Sequence, residues 1–171
     1  MNPKVLFLFF NTIGGVAVLG SYVWGFVSYP ELRTEFWGEV PESIKGLYTL
    51  NMFFAAAGFL AAFGFFMIKE RADNLRRLYL PYTLILIPSA LWLPLTVAVL
   101  QNPSQWLWWV IRIDLFAVGL GGLMVWVAVL KTQNTTALLR GLVCFAMTFF
   151  ILQTAILDAV VWPAYFVLPA Q

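Results

Sequence analysis

The stretch from Trp106 to Leu130, WLWWVIRIDLFAVGLGGLMVWVAVL, decides how this chain folds. It is longer than the roughly 20 helical residues that cross a hydrocarbon core of about 30 Å. Only Arg112 and Asp114 interrupt its apolar character. An ionised side chain at the centre of a membrane helix costs about 2.5 to 3.5 kcal/mol on insertion scales. Two so close together each require a partner or water, so the stretch reads both as a span and as a pointer to a site.

The rest of the chain agrees with that reading. Of 171 residues 62% are hydrophobic and only 11% charged, with a mean hydropathy of +0.86. A water-soluble globule of this composition would be coated in apolar surface, which is the mark of a protein solvated by lipid. Four further runs are long enough to span: Val5 to Val27, Leu47 to Ile68, Leu78 to Leu100 and Gly141 to Val161. Uninterrupted runs exclude the short alternating segments of a β-barrel. The fold expected is therefore an all-α integral membrane protein, residues 1–171 forming a single domain of five transmembrane helices. Pro81, Pro88 and Pro94 fall in the third helix, each removing a backbone donor, so that helix is expected to be kinked. The first run has an apolar stretch longer than the ~7 to 15 residues of a secretory signal and is read as a helix that stays.

Composition also bounds the chemistry. The chain has no histidine and one cysteine, Cys144, which removes the usual haem and zinc ligands and any thiol-pair relay. No cofactor or metal is expected, and no catalytic residue can be assigned. Nucleic acid is not an expected partner, because the basic residues gather in a short turn rather than on a face.

Lysine and arginine orient the helices. With a cytoplasmic amino terminus, the inner side carries Lys4, Lys69, Arg71, Arg76, Arg77, Lys131 and Arg140, and the outer side only Arg33 and Lys45. The positive-inside rule then places the carboxyl terminus outside. Asn134-Thr135-Thr136 fits the glycosylation acceptor pattern but lies in a loop placed inside, so it is read as an unused coincidence. The outer loop, residues 28–46, alternates Glu31, Glu35, Glu39 and Glu42 with apolar positions, as a lid or an interfacial connector would. The inner loop, residues 69–77, is basic and is expected to rest on anionic headgroups.

Helical spacing then sorts the polar residues. Asn51, Ala55, Gly58 and Ala62 share a face of helix 2, and small residues on one stripe let a neighbouring backbone approach. Arg112 and Asp114, two residues apart, point about 200° away from each other and cannot be mutual partners. Asp114 shares a smooth face with Val118, Gly121 and Gly122; Arg112 shares one with Trp108 and Phe116. On helix 5 a stripe of Cys144, Thr148, Ile151, Thr154 and Ala155 ends at Asp158. The pairing expected is Arg112 with Asp158, leaving Asp114 to meet Asn51 or Tyr22 or to stay protonated.

Two functions follow as expectations. One is a small membrane protein that binds or transports a lipid-like or amphipathic molecule in an outer-half pocket, with Asp114, Arg112, Asp158, Asn51, Tyr22 and Trp108 as the candidate ligand-binding residues. The other is a non-catalytic subunit or assembly factor of a larger membrane complex, or a homo-oligomer, in which the Gly and Ala stripes and the polar pair serve docking; the charges can also simply lock helices 4 and 5 together. Membrane lipid is a partner in either.

Overall fold

The computed structural model describes residues 2–133, 135–166 and 168. Asn134, the acceptor of the glycosylation pattern, and residues 169–171 of the expected outer terminus lie outside the described residues. The described residues form helices, turns and short connections, and five helices are long and apolar enough to cross a membrane.

Helix α1 covers Pro3–Ser28, α2 Glu42–Lys69, α3 Tyr79–Gln101, α4 Gln105–Lys131 and α5 Ala137–Ile151. α5 continues without a break into a π-helical segment, Leu152–Val161, and then a last turn α6, Trp162–Tyr165. Local chemistry sets the starts. The Asn2 side chain accepts from the Lys4 amide at 2.9 Å ahead of Pro3, and the Ser104 and Thr136 hydroxyls accept from Leu107 and Leu139. α2 begins at Glu42 rather than Leu47, because the first turn takes Glu42 and Lys45 as an ion pair at i and i+3. α3 remains one helix through Pro88 and Pro94.

The bundle has two ends. The loop end carries residues 28–41 and the α3–α4 turn; the basic end carries the α2–α3 and α4–α5 connections. α3 packs on α1 and α4, α2 packs on α5, and α4 packs on α5 and the π segment. Two glycines let the backbone of a neighbouring helix come close. A Cβ at Gly58 would run into the Ala146 carbonyl of α5, and one at Gly121 would lie 2.7 Å from the Pro81 carbonyl of α3. The expected α2 stripe is the buried one: Asn51, Ala55, Gly58 and Ala62 all face inward.

α1 and α2 behave differently. They meet near the basic end, where Phe7 lies 5.9 Å from Phe63 and the Lys4 ammonium donates to the Met67 carbonyl at 2.8 Å. α1 packs chiefly on α3 and α2 on α5, and nearer the loop end residues of both line one hollow, so the two helices part there.

Candidate functional site

The divergence of α1 from α2 leaves a cavity of about 430 Å³ in the half of the bundle nearer the loop end. Its floor is aromatic: Phe59 and Tyr82 lie 5.5 Å apart, and Tyr82 meets Phe7 edge-on at 5.1 Å. That plug closes the cavity off from the basic end. Leu19 of α1 and Leu60 of α2 line the cavity yet are 70% and 63% exposed on the bundle surface. A side chain that does both sits at a rim, so the cavity opens sideways between α1 and α2.

The connection between α1 and α2 forms the roof. The loop expected as a lid or an interfacial connector folds as two short 3₁₀ turns, Pro30–Leu32 and Glu35–Trp37, and Gly38 ends the second with φ +57°. Only glycine fits there twice over, since a Cβ would also lie 2.7 Å from the Tyr165 carbonyl. Three links pin the roof down. The Trp162 indole donates to the Phe36 carbonyl at 2.9 Å, the Glu39 amide donates to the Tyr165 carbonyl at 2.8 Å, and the Arg33 guanidinium donates to the Phe26 carbonyl at the end of α1. Phe36 and Trp37 thereby become cavity wall.

One wall is polar. Asn51 of α2 donates to the Phe149 carbonyl and, at 3.0 Å, to the Gln153 side-chain oxygen; Gln153 in turn donates to Asp158 Oδ1 at 2.8 Å. Tyr48 donates to the Leu157 carbonyl at 2.6 Å. Gln153 and Asp158 are five residues apart, which on an α-helix would set them about 140° away from each other. The π-helical i to i+5 repeat brings them onto one side, and such segments recur at functional sites. Asp158 Oδ2 has no hydrogen-bond partner among the described residues, and the Asp158 side chain faces the cavity. The Tyr22 and Ser89 hydroxyls also line the cavity, with no hydrogen bond between Tyr22 or Ser89 side chains and any described residue. The indole nitrogen of Trp92, another lining residue, is buried without a hydrogen-bond partner among the described residues.

Of the six residues singled out in the sequence, Tyr22 and Asp158 line the cavity, and Asn51 stands behind it as the anchor of the amide chain. The expected pairing of Arg112 with Asp158 does not form. Asp158 is turned toward the cavity and held by Gln153, whereas Arg112 lies half-buried between the Trp108 and Phe116 rings, each 5.8 Å away. Arg112 makes no ion pair among the described residues, and its Nε has no partner. Asp114 meets neither expected amide nor hydroxyl through a hydrogen bond. It is buried on α4 beside the lining residue Leu115, outside the cavity wall, with Oδ2 unpartnered. Trp108 is a packing residue, stacked 5.3 Å from Phe166 and 5.8 Å from Trp162.

The helix 5 stripe also needs correction. Thr148 is exposed, whereas Gln153, absent from the expected stripe, is buried and central. A stripe drawn at α-helical spacing cannot anticipate the π turn. The chain matches no protein-family model, no curated protein and no solved structure.

Proposed function

We propose that the chain is an integral membrane protein that binds, or carries between leaflets, a lipid-like or amphipathic molecule entering from the bilayer between α1 and α2. The observation that carries this reading is a laterally open cavity, apolar over most of its wall, with a hydrogen-bonded chain ending in the half-satisfied carboxylate of Asp158. Ligand sites of this kind combine a large apolar surface with a few convergent polar groups. Positive-inside asymmetry orients the basic end to the cytoplasm, so the cavity lies beneath the outer leaflet. A bend in α3 at Pro88, next to the lining residue Ser89, would widen the cavity on its far side.

Native mass spectrometry of protein extracted in mild detergent tests the proposal. Wild-type protein should retain a small amphipathic molecule, and Gly15→Leu should lose it. Gly15 lines the cavity with open space where its Cβ would stand, so the larger side chain fills the hollow without a clash. Wild-type protein that carries no such molecule and shows no thermal shift with any added amphiphile would overturn the proposal.

Arg112 supports a second reading. A half-buried cation with no ion-pair partner among the described residues, flanked by the exposed Trp109 and Phe116, is what a docking contact in a membrane complex requires. Stoichiometric partners recovered by gentle extraction, and lost in Arg112→Leu, would favour that role.

A further inference from the structure

The cavity's own charge points to what it binds. We infer that its ligand is an organic cation, a protonated amine carried on an apolar chain or ring system. This rests on the lipid-like ligand proposed above and narrows it by charge.

Asp158 is the one carboxylic acid among the described lining residues, and none of them is a lysine or arginine. Two cations lie nearby without lining the cavity: Lys45, ion-paired to Glu42, sits over the Trp37 ring at 5.8 Å, and Arg112 lies between Trp108 and Phe116. A fatty acid or phosphate would therefore meet a carboxylate and no counter-ion, whereas an ammonium would meet Asp158 Oδ2, already oriented by Gln153. The rings at the same end suit a cation as well. Tyr22 pairs with Trp92 at 5.7 Å and Trp37 with Tyr48 at 5.9 Å, and all four line the cavity. Faces of Trp and Tyr attract cations, most strongly where water is excluded. A neutral alcohol can use the hydroxyls and Oδ2 but forgoes both charge terms.

Dodecylamine, dodecanol and dodecanoate, offered to the full chain in phosphatidylcholine nanodiscs with empty nanodiscs as background, separate the cases. Dodecylamine should bind about tenfold or more tightly than either of the others. In Asp158→Asn, which still accepts from Gln153, that preference should collapse to about twofold or less. Trp92→Leu should weaken the amine more than dodecanol, which tests the ring contribution in a second background. Equal binding of amine and alcohol, or best binding of dodecanoate, overturns the cation assignment and leaves the cavity as a general amphiphile site. Binding of none above background overturns both.

Discussion

Each end of the bundle holds a carboxylate in a hydrogen-bond network, and the two are finished differently. At the basic end Glu70 is buried and fully used: Oε1 accepts from Arg77 at 2.6 Å and from Thr132 at 2.9 Å, and Oε2 accepts from Asn74 at 3.0 Å. Those donors come from the α2–α3 turn and the end of α4, so one side chain ties three segments together. At the loop end Asp158 accepts from Gln153 alone and presents its other oxygen to a hollow. A saturated acid is a structural rivet. An acid left half-saturated where a cavity meets it has capacity for something not in the chain.

Removing the two acids should break the symmetry between them most visibly. Glu70→Ala strips the acceptor from three donors at once and should cost about 2 kcal/mol or more, read as a clear fall in the thermal midpoint in detergent. The same network sets a pH dependence. Burial alone would raise the Glu70 carboxyl, but hydrogen bonds from Asn74 and Thr132 and the Arg77 charge outweigh it and hold it below its ordinary value of 4.5. A depressed acid stabilises the fold fully above its unfolded value and loses that contribution as pH falls through the folded one. Thermal melts should therefore show a loss on acidification below about pH 4.5 that is smaller in Glu70→Gln than in wild type.

Smaller effects sharpen the contrast. Arg112→Gln should cost about 1 kcal/mol or less in the isolated chain, because its contacts among the described residues are the Trp108 and Phe116 rings and no ion pair. A marked loss would expose a partner. Asp158→Asn keeps an acceptor for Gln153 and should change the midpoint by the equivalent of about 0.5 kcal/mol or less, while abolishing ligand discrimination. A large destabilisation there would make Asp158 a second rivet.

Much of the fold was legible in the sequence because span length and small-residue spacing are local properties. The stripe of Asn51, Ala55, Gly58 and Ala62 and the buried face of Asp114, Val118, Gly121 and Gly122 follow from the helical repeat alone. The site was legible only in part. Tyr22 and Asp158 were found as polar groups near one end, but Gln153 was missed because a ten-residue π segment replaces the repeat on which the stripe was drawn. The roof was equally hidden, since Trp162 reaching the Phe36 carbonyl joins residues 126 apart. Arg112 was assigned to Asp158 on depth, and depth does not say which side of a helix its neighbour occupies.

The most direct test is photolabelling in a bilayer with a hexadecanol analogue carrying a mid-chain diazirine, a probe that a neutral or a cationic site both admit. Adducts on the cavity residues Tyr22, Met52 and Phe59 are expected in wild type, with those adducts lost and lipid-facing ones kept in Gly15→Leu. Labelling confined to outward residues such as Ile113 and Leu123, identical in the two proteins, would contradict a ligand site between α1 and α2.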